Sequence, residues 1–248
     1  MKILVCISSV PDTTSKINFT ADKSAFDKNG IQWVINPLDE FSLTKAIKLQ
    51  ESAGATVTVL NVGDATTEPV IRKSLAIGAN DAIRINAEPK DSFSVAKEIA
   101  NVAQTGSYDL ILCGKESIDY NGGAVPGMVA QLLNQPFVNA CVGLEINGAE
   151  ATAVREIEGG KETISVKLPA VIAGQKGMVD EKDLIIPNMR GIMSARSKPL
   201  TVNEPTNSEV KVDAVSFEAV APRAAVKMVS PDNLDELVRL LHEEAKVI

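Results

Sequence analysis

The sequence predicts an α/β fold: a doubly wound, Rossmann-like, mainly parallel sheet with an added antiparallel hairpin region and a C-terminal extended arm and helix. Short, near-continuous apolar runs alternate with helical stretches from Ile3 to about Leu133, as strands buried on both faces and joined by right-handed crossovers require. After Pro136 the period changes to two around glycine turns, which signals antiparallel strands. Beyond Gly174 the chain loses its period and carries prolines at 187, 199, 205, 222 and 231; a long segment without its own core usually rests on something else.

The parallel strands are expected at Ile3–Ile7, Val57–Val62, Ala82–Ile85 and Leu110–Cys113, and the helices at about Asp39–Ala53, Glu68–Ile77, Ser92–Gln104 and Val125–Leu133. Between Lys16 and Ile35, "INFT", "DKNG" and "IQWVI" read as a hairpin turning at Asn29-Gly30. The stretch from Cys141 to Gln175 reads as antiparallel strands around Asn147-Gly148 and Gly159-Gly160. Ser230-Pro231-Asp232 is expected to cap a final helix with Leu234, Leu237, Val238, Leu241 and Ala245 on one face. This divides the chain into an α/β domain over residues 1–190 and an arm with its helix over 191–248.

Composition narrows the function. Of the 248 residues 45% are apolar and 23% charged, an ordinary globular balance, and no run is long enough to span a membrane. The first apolar run ends in Ser-Ser-Val-Pro and reads as a strand rather than a signal peptide, so a cytoplasmic protein is expected. Cys6, Cys113 and Cys141 lie in apolar runs without CxxC spacing, and His242 is the one histidine; a metal centre and histidine-based catalysis are not expected. No nucleophile has an adjacent base, so no catalytic residue is assigned. A net charge of −7 works against binding a nucleic acid, though not against binding one nucleotide.

In a doubly wound sheet ligands bind outside the carboxyl ends of the strands. Four loops are expected there: "SSVPDTTS" with Asp12, "INPLDEF" with Asn36, Pro37 and Asp39, Asn61-Val62-Gly63-Asp64, and Gly114–Pro126. Gly122 and Gly123 let main-chain N–H groups approach an anion at the N-terminus of the next helix. Neither a Walker A loop nor GxGxxG is present. The plain alternatives are that the glycine turn merely caps a helix, and that Asn36 and Asp39 only cap theirs.

"AVREIEGGKETISVKLPAVIA", Ala153 to Ala173, combines a basic residue, an acid-Gly-Gly turn, a Glu and a strand ending Leu-Pro-Ala-Val-Ile-Ala. Together with "NPLDEFSLTKAIKL", "KSLAIGANDAI", "DLILCGKESID" and "IPNMRGIMSARSKPL", it resembles the electron transfer flavoprotein beta subunits along essentially the whole chain. The resemblance implies a non-catalytic electron carrier paired with an alpha subunit that holds FAD, serving flavin dehydrogenases such as acyl-CoA dehydrogenase and delivering electrons to a respiratory acceptor. It implies AMP at Cys6, Asn36, Pro37, Leu38, Asp39, Val62 and Gly114 and at Asp119 to Val125, a stretch that includes Asn121, Gly122, Gly123 and Ala124; Gly63 joins this set from the loop reading. A docking segment would run from Leu184 to Met193, with Ile186 or Met189 as its anchor and Arg190 beside it, and the terminal helix would lie on the alpha subunit.

Two departures stand out. Ser8-Ser9 replaces a usual lysine, and Ala124 stands at the position of a usual glutamine in the phosphate loop. "VPDT" at Val10–Thr13 is similar to members that bifurcate electrons with a second, redox-active FAD in the same crevice, which stays open as the alternative to AMP. An independent adenine-nucleotide enzyme is the remaining alternative, but "ISSVPDTTS" lacks the glycines of a pyrophosphate loop. Glu162 and Gly159-Gly160 either touch a cofactor or only shape the hairpin. Arg190, Arg196 and Lys198 form either a docking patch or a solvated strip.

Overall fold

The computed structural model describes residues 1–206, 208–223 and 225–248. Its main sheet has nine strands, built on β1 (Lys2–Cys6), β4 (Thr56–Val62), β5 (Asp81–Ile85), β6 (Leu110–Gly114) and β10 (Ala170–Gly174). β7 (Phe137–Asn147), β8 (Glu150–Ile157) and β9 (Gly160–Lys167) extend one side, and β11 (Leu200–Asn203) closes the other. The order is β11-β5-β4-β1-β6-β10-β7-β8-β9, parallel from β11 to β7 and antiparallel from β7 to β9.

Alternate residues of each central strand face opposite layers. Ile3, Val5, Val57, Val59, Leu110 and Leu112 pack with α1 (Pro37–Ala53) and α2 (Glu68–Ile77). Leu4, Cys6, Leu60, Ile111 and Cys113 pack with α3 (Ser92–Gly106) and α4 (Val125–Leu133). Both faces are covered, which is why these strands are apolar without alternation. The chain winds outward from β1 through β4 to β5, then returns to β6 on the other side of β1. The topological switch point therefore lies between the ends of β1 and β6.

Four expectations change. Trp33–Ile35, β3, pairs antiparallel with Ser9–Pro11, β2, rather than with "INFT"; Phe19 bridges Phe26 instead, so the predicted hairpin across Asn29-Gly30 does not form. The extended run before Asn36 was right, but its partner comes from the preceding loop. Ala170–Gly174 is fully buried between β6 and β7 and parallel to both, so it belongs to the parallel core although it follows the meander in sequence. The irregular region after Gly174 contains α5 (Met189–Ala195) and β11, which pairs parallel with β5. At the C-terminus Asn233 caps α6 (Leu234–Arg239) by accepting from the Glu236 N–H, and a π turn follows over Leu240–Glu244.

The turns at Gly148 (φ +63°) and Gly159 (φ +81°) fall where expected. Two compact units emerge, one of residues 1–17 and 28–215, the other of 18–27 and 216–248. Within the second, Phe19 stacks on Phe217 at 5.3 Å and Lys227 pairs with Glu244 at 2.9 Å; Leu234, Leu237 and Val238 of α6 are exposed. Among the described residues no helix is long and apolar enough to cross a membrane.

Candidate functional site at the switch point

The switch point is closed by one side chain. Asp39 is buried in the first turn of α1, and its carboxylate accepts from the Ser8 N–H and the Gly114 N–H, each at 2.7 Å. It ties the ends of the two diverging strands to α1. A Cβ on Gly114 would lie 2.3 Å from Asp39 Oδ1, so that position needs glycine for close approach. Burial pushes the Asp39 carboxyl up to about 7, against the pull of hydrogen bonds from Ser8, Asn36 and Gly114, and the Asp119 charge adds to the rise.

Asn36, only 1% exposed, braces the same junction. Its amide donates to the Glu116 carbonyl at 2.8 Å and accepts from the Ile118 N–H at 3.3 Å, while its own N–H bonds the Ser8 carbonyl. It makes no side-chain cap on α1. Its polar atoms thus hold the loop after β6 instead of capping the helix. Leu38 packs on the core and Pro37 occupies the first helical turn, where its missing N–H costs nothing.

The loop after β6 folds back on itself. Ser117 and Gly122 form an antiparallel bridge by exchanging N–H bonds, so the Gly122 N–H is already engaged. Asn121 at the tip has φ +49°, and Asp119 accepts from the Ser117 hydroxyl and from the Tyr120 N–H. Gly123 passes 3.1 Å, measured from a built Cβ, from the Lys115 carbonyl, which a side chain would crowd. Ala124 and Val125 then lead into α4, whose positive end faces the loop.

Cys6 lies beside Cys113 on adjacent strands; its thiol is pushed well up by the Cys113 thiol and by burial. All three cysteines are buried and free. Val62 ends β4 and Gly63 follows it, and the neighbouring Asn61 amide donates to the Ile7 carbonyl at 2.9 Å, joining that loop to β1. Gly63 packs against Thr67, where a Cβ would meet Thr67 Cγ2 at 2.5 Å. Asp12 turns to its own neighbour Thr14 and takes no part in this network.

The loops of β1 and β6 and the start of α1 are therefore joined through Asn36 and Asp39, and the β4 loop is joined to β1 through Asn61, which was not itself among the expected site residues. Sequence reasoning passed over Arg84, buried in β5, whose guanidinium donates to the Gly63 carbonyl and to Asn86, each at 2.9 Å. A buried arginine in a strand was the signal that could have found it. It also missed a cleft of about 410 Å³ lined by Leu38, Lys115, Glu116, Glu156, Gln175 and Lys176 beyond the adjacent gap between β6 and β10.

Of the expected docking residues, Leu184 turns inward onto the core. Ile186 is 86% exposed and Met189 73%, with Arg190 exposed next to them. Arg155 pairs with Glu162 across β8 and β9 at 2.7 Å, which fastens the Gly159-Gly160 hairpin.

Residues 24–208 match the family model described as electron transfer flavoprotein domain. The chain is 33% identical to the electron transfer flavoprotein subunit beta of Bacillus subtilis (strain 168), with 100% of both chains covered. It is 34% identical to that of Syntrophomonas wolfei, over 91% of this chain and 88% of the other. A mitochondrial relative of the same description, from Oryza sativa subsp. japonica, is 32% identical with 100% of both covered.

Proposed function

The chain belongs to the electron transfer flavoprotein family as a beta subunit, with a role in electron transfer, and from that premise we propose that it is the non-catalytic, nucleotide-holding partner of an FAD-bearing alpha subunit. The nucleotide is AMP, seated among Cys6, Asn36 to Asp39, Val62, Gly63, Gly114 and the loop from Asp119 to Val125. The observation that supports this reading is the set of hydrogen bonds by which Asn36 and Asp39 draw the loops of β1 and β6 together at the switch point.

The residues suit a compact nucleotide. Glycines at 114 and 123 let the loop after β6 close tightly on Asp39 and on the Lys115 carbonyl, and α4 directs its N-terminus toward that loop. Asn36 and Asp39 keep the backbone donors in register. Redox chemistry, when FAD is bound, belongs to the flavin. Electrons come from flavin dehydrogenases that dock on the segment Leu184–Met193, with Ile186 or Met189 as the apolar anchor, and pass to a respiratory acceptor. The C-terminal arm and helix pack on the alpha subunit, where the exposed Leu234, Leu237 and Val238 find cover.

The test is to co-express the chain with its alpha subunit, release bound small molecules by denaturation and quantify AMP and FAD. One of each per heterodimer is expected. Two FAD and no AMP would replace this reading with a bifurcating subunit. Asn36→Ala and Gly123→Val should lower retained AMP while the alpha-subunit flavin spectrum persists, and unchanged AMP content in both would remove the assigned crevice.

A further inference from the structure

The exposed apolar side chains near the proposed docking segment sit on a very short helix. α5 has seven residues, and an isolated helix of that length is not stable in water. Yet Met189, Ile192 and Met193 on it stand exposed at 73%, 42% and 60%, with Ile186 just before it at 86%. Something other than burial of its own apolar face must hold it.

The hold is reciprocal. Arg72 of α2 donates through Nη1 to the carbonyl of Ala195 at 3.0 Å and to that of Lys198 at 2.9 Å, satisfying acceptors at and beyond the end of α5. In return, Lys198 Nζ donates to the carbonyls of Leu75 and Ala79 at 2.8 and 2.6 Å, satisfying acceptors at and just beyond the end of α2. Between these two clamps the helices touch backbone to backbone, since a Cβ on Gly191 would stand 2.5 Å from the Ala76 carbonyl oxygen. Glu68 holds the Arg72 guanidinium in place at 3.2 Å. Lys198 and Arg72 are therefore committed to backbone carbonyls, leaving Arg190 and Arg196 as the exposed cations of the "NMRGIMSARSK" stretch.

We propose that Arg72, Lys198 and Gly191 are positioning residues that present α5 to the electron-donating partner as a preformed platform. The proposal rests on the docking reading above. Preorganisation reduces the ordering cost of binding, so loosening the clamp should weaken association without touching the flavin chemistry. Arg72 reaches both carbonyls through Nη1 while its Nε and Nη2 donate to Glu68, and a lysine ammonium, without the planar guanidinium, does not hold both sets of contacts in that geometry.

The experiment uses the heterodimer carrying Arg72→Gln, Arg72→Lys, Gly191→Ala, Ile186→Ala or Met189→Ala, with an acyl-CoA dehydrogenase as donor. Amide exchange over residues 189–199 is read alongside KM for the heterodimer and kcat. Arg72→Gln and Gly191→Ala are expected to speed exchange by roughly tenfold and raise KM roughly three- to tenfold at a kcat within about twofold. Arg72→Lys should fall between wild type and Arg72→Gln. Unchanged exchange in both Arg72→Gln and Gly191→Ala overturns the clamp. Faster exchange with unchanged KM overturns positioning while leaving docking intact if Ile186→Ala or Met189→Ala raises KM. No rise in KM in any variant overturns the docking reading and the positioning role with it. If one of the two clamp variants fails to assemble, the other decides.

Discussion

Asp39 carries a conflict within a single side chain. Two N–H donors at 2.7 Å favour its anion, whereas complete burial favours the neutral acid, and the balance lies at about 7. An unfolded aspartate titrates near 3.9. Because the folded value is the higher one, the stabilisation from the protonated form is full below about pH 4 and is lost as pH rises through about 7. The heterodimer should therefore melt at a lower temperature at pH 8 than at pH 5.5. Asp39→Asn should flatten that dependence while lowering stability throughout, because its NH2 group faces one of the two N–H donors. Melting curves at the two pH values check this; an equally steep dependence in the variant would remove Asp39 as its source. That the residue sits at a helix start was legible in "NPLDEF"; that it reaches Gly114, far along the chain, was not.

Among elements, the strap that follows β11 depends on two carboxylates of α3. Glu98 accepts from the Thr206 N–H and hydroxyl and from the Ser208 hydroxyl. Asp91, the N-cap of α3, also accepts from the N–H groups of Lys211 and Val212 at 2.6 and 3.0 Å. Desolvation opposes ionisation of Asp91, but the hydrogen bonds from Ser94, Lys211 and Val212 outweigh it and draw it down to about 2. A lowered carboxyl contributes above its unfolded value, and the contribution is lost as pH falls from about 4 toward 2. Amide protection at Lys211 and Val212 should therefore drop over that window and already be low at neutral pH in Asp91→Ala. Protection that persists to pH 2 would show that other contacts hold the strap. α3 itself was readable from the alternation of apolar strands with helical stretches. The short edge strand "LTVN" was not, since four residues with none fully buried are too few to set a period.

Across the whole molecule, stability should concentrate in the parallel core and thin toward the meander. Ile172 is fully buried between Leu112 of β6 and Val138 of β7. Ile164 on β9 is only partly covered. Ile172→Ala should cost about 2–5 kcal/mol and Ile164→Ala clearly less, measured by denaturant unfolding of the heterodimer. Equal losses would mean that the meander shares the core more fully than its burial indicates.

What the sequence determined by itself was the identity of the buried strands and helices, the glycine turns of the meander and the family, because each rests on local period, turn chemistry or contiguous motifs. The tertiary structure alone decided which strands are neighbours. β10 leaves the meander for the centre of the sheet, β2 replaces "INFT" as the partner of β3, and β1 meets β6 at the switch point. It likewise decided that Asn36 and Asp39 brace strand ends and that α2 and α5 cap one another. These are contacts between residues distant in the chain, and main-chain donors and acceptors look alike in every residue, so no pattern of side chains announces which of them will meet.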